Sequence, residues 1–305
     1  MVDKADASRG QRPLAGILWM LVTGANFVAV TALVKLVGTG VPAPQAAFLR
    51  YVLGLVFLLP MLGLLRRVRI DRATLALYGW RGLAHALGVI CWFYAMTRIP
   101  IAEVTAMNYL NPIYVTIGAA LVFGEKLAAR RILAIAVAFI GVLVILRPGF
   151  REVSDGHVAM LFTALFFGGS YLMAKRLSER DSAAVVVAML SISVTIALAP
   201  FALAVWVTPT LTQLAWLFGV AFFATAGHYS MTMAFRAAPL TVTQPVTFLQ
   251  LVWATLLGWL VFGEAVDGWV ILGGAMIVGA VVFITWREAM LKRRAMTPPP
   301  EATKL

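Results

Sequence analysis

Residues 239–264 read PLTVTQPVTFLQLVWATLLGWLVFGE, and residues 100–125 read PIAEVTAMNYLNPIYVTIGAALVFGE. A shift of 139 positions lays Pro100 on Pro239, Leu110 on Leu249 and Thr116 on Thr255, and the closing Leu-Val-Phe-Gly-Glu of 121–125 recurs at 260–264. A second match opens each half. Met20, Leu21, Thr23, Phe27 and Lys35 stand 140 positions before Met160, Leu161, Thr163, Phe167 and Lys175. Two matches at nearly one offset mark a duplicated unit that divides the chain near Asp155. In an apolar chain, a duplicated unit is the pattern of a secondary transporter.

The chain is apolar throughout. It is 62% hydrophobic and 12% charged, with mean hydropathy +0.91, where a soluble domain carries about 25% charge. The apolar residues fall in runs long enough to cross a bilayer as helices. Ten are expected, at roughly 14–36, 43–65, 74–96, 101–123, 130–147, 156–176, 183–206, 211–235, 240–262 and 268–286. None alternates at period two as a β-barrel strand does, so the expected fold is an all-α integral membrane protein. The first run is too long for a signal-peptide core and reads as a retained span.

The net charge of +12 raises nucleic acid as a partner, but the distribution of cations argues for a membrane instead. Of the Lys and Arg residues between the runs, only Lys35, Arg98, Arg147 and Arg151 fall on the side opposite the termini. The positive-inside rule then puts both termini in the cytoplasm of a multi-pass inner-membrane protein. Five spans per half is odd, so the halves are inverted. The expected division is a cytoplasmic tail 1–13, a first repeat 14–149, a linker 150–155, a second repeat 156–287 and a basic, disordered tail 288–305. The Lys292-Arg293-Arg294 cluster in that tail suits contact with anionic membrane lipid, or serves only as a stop signal. Cys91 is the single cysteine, which excludes a disulfide and a cysteine metal site.

Ionisable groups inside a bilayer default to functional candidates. Arg81 and His85 lie four apart in span 3, and Gly88 and Trp92 continue their face. Such a stripe suits a cavity, with Arg81 offering a fixed charge and up to five donors to a carboxylate or another acceptor. The alternative is that Arg81 snorkels to the interface. Arg50, two turns into span 2, either meets substrate or braces the bundle. His85 and His228 lie in equivalent spans, and each is a candidate for coupling proton movement, with a satisfied structural histidine as the alternative. All thirteen acids fall in loops, tails or span ends, Glu103, Glu125 and Glu264 among them. No carboxylate relay, paired-acid site or metal-ligand cluster is visible, so neither catalysis nor a cofactor is expected.

Spans 4 and 9 hold the most uncharged polar groups: Asn108, Tyr109, Asn111 and Tyr114 in one, Gln244, Thr247, Gln250 and Trp253 in the other. Pro112 and Pro245 each remove a helix hydrogen bond. Amides and aromatics beside such positions suit a flat polar organic molecule, with interhelical hydrogen bonding as the alternative.

The stretches FYAMTRIPIAEVTAMNYLNPIYVTIGAALVFGEKL (93–127), IAVAFIGVLVILRPG (135–149) and MAFRAAPLTVTQPVTFLQLVWATLLGWLVFGEA (233–265) resemble the drug/metabolite transporter superfamily, EamA type. That resemblance covers about residues 14–286. It implies ten helices as two inverted five-helix repeats and a central cavity lined by helices 1, 3, 4, 6, 8 and 9. It also implies alternating access for a small-molecule substrate, by a monomer or homodimer. The span 3–4 region leans toward the S-adenosylmethionine-uptake and riboflavin-uptake branches. A broad-specificity exporter, a lipid flippase and a passive channel are the alternative readings.

Overall fold

The computed structural model describes residues 12–61, 70–123, 128–150, 152–178, 180–238 and 240–296. The tails at 1–11 and 297–305, Glu125 and Arg151 lie outside the described residues, as does the side chain of Gln244. The first repeat comprises α1 (Pro13–Val37), α2 (Ala43–Gly54) with a 3-10 extension Leu55–Met61, α3 (Arg72–Met96), α4 (Ile101–Asn108), α5 (Asn111–Phe123) and α6 (Ala129–Leu146). The second comprises α7 (Asp155–Ser178), α8 (Ala183–Ala204), α9 (Leu211–Ala237), α10 (Leu240–Phe262) and α11 (Gly268–Met296). With α2 and its extension as one crossing and α4–α5 as another, this gives the ten expected spans, with no strand among the described residues. Six helices are long and apolar enough to cross a membrane by themselves.

Polar side chains start the helices where the chain leaves a loop. The Asp71 side chain accepts from the Thr74 amide at 2.6 Å at the start of α3. Thr210 and Gln213 form a reciprocal capping box on α9. That Thr74 amide bond, with the Thr74 hydroxyl, holds the Asp71 carboxyl below its ordinary range. A depressed carboxyl stabilises the fold above the unfolded value and stops doing so as pH falls through the folded one. Asp71→Ala is therefore expected to lower Tm by about 1 °C at neutral pH, a difference that shrinks below about pH 4 in a melting series.

The repeats interlock rather than stand side by side. The three most extensive helix interfaces are α1 on α9, α3 on α7 and α6 on α11, each joining one repeat to the other. The first two are related by the repeat, since α1 corresponds to α7 and α3 to α9. Lipid offers no hydrophobic drive for helix association, so close backbone approach carries these contacts. Small residues allow it. A Cβ at Gly88 would meet the Phe167 ring of α7 at 2.6 Å, and one at Gly82 on the same helix would meet Ser193 Oγ of α8 at 2.5 Å. On α6, a Cβ at Gly141 would meet the Gly273 carbonyl oxygen at 2.7 Å.

The repeats differ in regularity. The first leaves α-helical geometry twice, at Leu55 and at Tyr109–Leu110, whereas α8 and α10 run unbroken. The two expected proline sites thus behave differently. Near Pro112 the Asn111 side chain donates to Asn108 Oδ1 at 2.9 Å, a local bond that competes with the helix ladder. Residue 245 sits within a continuous 23-residue helix that absorbs one missing bond.

At the end of the bundle opposite the termini, here the distal end, two ion pairs, Lys35–Glu264 and Arg147–Asp267, and a buried Glu103–His157 contact join the repeats. Glu264 also accepts from the Ile101 amide at 2.9 Å and so caps α4. Arg147, at φ 44 and ψ 56, turns the chain out of α6 in a left-handed conformation.

Candidate functional site

Midway along the bundle, cationic and aromatic side chains from both repeats converge. The Arg50 guanidinium on α2 stands 4.0 Å from the Tyr51 ring centroid. Tyr51 presents its ring edge-on to His85 of α3 at 6.4 Å. His85 stacks on Phe167 of α7 at 4.7 Å, and its Nδ1 lies 3.2 Å from Ser170 Oγ. Tyr171 and Trp92 approach the same Phe167 ring at 6.3 and 6.2 Å.

The second repeat supplies the counterpart. His228 of α9 meets Phe27 of α1 edge-on at 5.3 Å. Phe27 and Phe167 are 140 positions apart, so the two Phe–His pairs are built by corresponding helix pairs. His228 is exposed, while His85 is buried at 8%.

The stripe on α3 faces the bundle interior, but α7 and α8 cover it. Arg81 is 5% exposed, and its Nη1 donates to the Val186 carbonyl of α8 at 3.0 Å. The sequence expectation of a stripe open to a cavity is met only in part, because Gly88 lets Phe167 of α7 settle onto it. Two buried donors on this helix, Arg81 Nε and Trp92 Nε1, have no partner among the described residues.

A second polar group lies at the break between α4 and α5. Tyr109 donates to the Thr247 carbonyl of α10 at 2.7 Å, tying the two corresponding spans together. Asn111 is 7% exposed, and its Oδ1 has no partner among the described residues. Gln250 packs against Gly24 of α1. Tyr114 lies between Phe139 of α6 and Gly168 of α7. Trp253 is half exposed on α10.

Tyr51, Phe167, Ser170 and Tyr171 escaped the sequence reading as site residues. Phe27 and Phe167 carried a signal, since both belong to the repeat match. Among the described residues no three His, Cys, Asp or Glu side chains gather as metal ligands.

Interlocked five-helix repeats around a mid-bundle polar group define a membrane transporter of the inverted-repeat class. The EamA-like transporter family model matches residues 14–147 and again residues 155–286, and the chain belongs to that family. It is 32% identical over 293 residues to a riboflavin transporter of Vibrio cholerae serotype O1, covering 92% of this chain and 96% of the relative. The S-adenosylmethionine uptake transporter of Rickettsia prowazekii is 25% identical, with 90% and 94% covered. The pseudopaline exporter CntI of Pseudomonas aeruginosa is 26% identical, with 89% and 96% covered. One crystal structure, 20% identical, matches the fold with a TM-score of 0.58 over 93% of this chain and 99% of its own.

Proposed function

We propose that the chain is a secondary-active carrier of a small, flat, polar metabolite of the riboflavin type, moved across the inner membrane by alternating access. S-adenosylmethionine and aromatic amino acids form the neighbouring candidate class. The observation that carries this reading is the chain of contacts Arg50–Tyr51–His85–Phe167 across the two repeats, matched in form by the repeat-related Phe27–His228 pair. An aromatic wall binds a flat ring by its face, and a cation beside it binds a carbonyl or carboxylate. Arg81, Trp92, Asn108, Asn111 and Gln250 supply hydrogen-bonding groups around that wall. The two repeats rock about the site, and the irregular segments at Leu55 and Tyr109 are where the first repeat bends.

Binding tests this directly. Purified protein in detergent is titrated into riboflavin while flavin fluorescence is followed, with S-adenosylmethionine and tryptophan as competitors. Saturable quenching is expected, and Phe167→Ala is expected to weaken it about tenfold, the scale of one lost aromatic contact. If none of the three ligands binds, or if Phe167→Ala binds as the native chain does, the reading fails.

A further inference from the structure

The carrier reading leaves a clamp between the repeats at the distal end without a role. Glu264 follows α10 in the second repeat, and its carboxylate holds two helices of the first. Oε1 takes the Lys35 ammonium at the end of α1. Oε2 accepts from the Ile101 amide at 2.9 Å and caps α4, whose own N-cap residue, Pro100, offers no side-chain acceptor. Lys35 also stands 5.6 Å from the Phe262 ring centroid of α10.

Two glycines aim that carboxylate. Gly263, at φ 64, turns the chain back as α10 ends, and the Glu264 amide donates to the Gly258 carbonyl at 3.0 Å. A Cβ on Gly258 would overlap Glu264 Oε2 itself. The carboxylate thus rests against its own helix in a space that a single methyl group would fill. Beneath the clamp the seam is shut. Ile101 and Ala254 are fully buried, and Val28 is 5% exposed, in one apolar cluster where α1, α4 and α10 meet.

We propose that Glu264 is the latch of the distal gate: its carboxylate holds the carrier closed on that side and lets go of Lys35 and the Ile101 amide each time the repeats part. The inference rests on the alternating-access reading, in which the distal end must open once per cycle. A latch must release without stranding a charge, the penalty that makes a buried ion pair costly to break. The Lys35 and Glu264 side chains are 21% and 12% exposed at the distal rim, so both charges pass into water on release. Both bonds of the carboxylate join one repeat to the other, and they exist only while the seam is closed. Weakening either one shifts the population toward the distal-open state.

The test requires no transported substrate. In a Cys91→Ala background in nanodiscs, thiol labelling of Val28→Cys reports on the seam, two helical turns below Lys35 on the same face. Phe150→Cys, at a position 92% exposed, gives the rate of a free thiol. Ala138→Cys, fully buried on α6, reports any loosening of the bundle as a whole. Gly258→Ala removes no group of the latch and favours the helix, yet its methyl group pushes the carboxylate aside. It is expected to raise the Val28→Cys rate, relative to Phe150→Cys, about threefold or more, the scale of a weakened ion pair and helix cap. Glu264→Gln, which keeps an acceptor for the Ile101 amide but not the charge, is expected to do the same. Ala138→Cys is expected to stay slow in both. A Val28→Cys rate that Gly258→Ala leaves unchanged overturns the proposal. An Ala138→Cys rate that rises alongside also overturns it, because Glu264 then braces the whole fold. Gly258→Ala decides even if Glu264→Gln does not fold. Riboflavin binding together with an unchanged rate would sink this inference alone. A raised rate without riboflavin binding would sink only the substrate assignment.

Discussion

Gly273→Val is expected to remove most of the folded protein from the membrane. Gly141 of α6 and Gly273 of α11 cross with their backbones in contact. A Cβ on Gly273 would overlap the Gly141 carbonyl oxygen and come within 2.6 Å of Ile145 Cγ1. A carbonyl held in its own helix ladder cannot turn aside as a side-chain tip does, so the helices must separate. Overpacking a well-filled interior costs about 1–3 kcal/mol, and two rigid backbones put this site at or beyond the upper end. Gly279→Val is the control, because nothing lies within 4 Å of a Cβ added there on the same helix. Size-exclusion yield and Tm in mild detergent measure both. If Gly273→Val melts like Gly279→Val, this crossing does not hold the bundle together.

Arg50→Ala is expected to lower the initial transport rate by roughly 30- to 150-fold, the scale of a charge-assisted bond of about 2–3 kcal/mol. Arg50→Lys should fall between, since it keeps the charge but loses the planar group that stacks on Tyr51 at 4.0 Å. The measurement is initial uptake into proteoliposomes, paired with ligand titration to separate binding from turnover. Native transport by Arg50→Ala would make Arg50 a brace for the bundle. Arg81 is expected to behave differently, because its bond to the Val186 carbonyl ties α3 to α8. Its replacement should show in the melting temperature before it shows in transport.

Much of this was legible in the sequence. Runs of about twenty apolar residues gave the crossings because bilayer thickness sets helix length. The offset of 139–140 positions gave the halves, and the spacing of Arg81 and His85 gave their common face. The covering of that face was not legible. Phe167 and Ser170 reach it from the other repeat, and helical periodicity says which residues share a face but not what packs on it. Glu103 read as a span-end acid for the same reason. Its partner lies 54 residues away, and only the interlocking of α4 with α7 brings the two together. Asn108 and Asn111 were legible as neighbours because their bond is local. Their effect on the helix was not, since Pro112 and Pro245 look alike in sequence.

The interlocking of the repeats has a consequence for how the protein is made. Translation delivers the first five crossings before α7 exists. Until α7 and α8 insert, Arg81 lacks the Val186 carbonyl, His85 lacks Ser170 and Phe167, and Glu103 lacks His157. The insertion machinery must hold this half-built bundle while the rest is synthesised. The two halves expressed as separate polypeptides should therefore accumulate only when produced together, each acting as the other's chaperone.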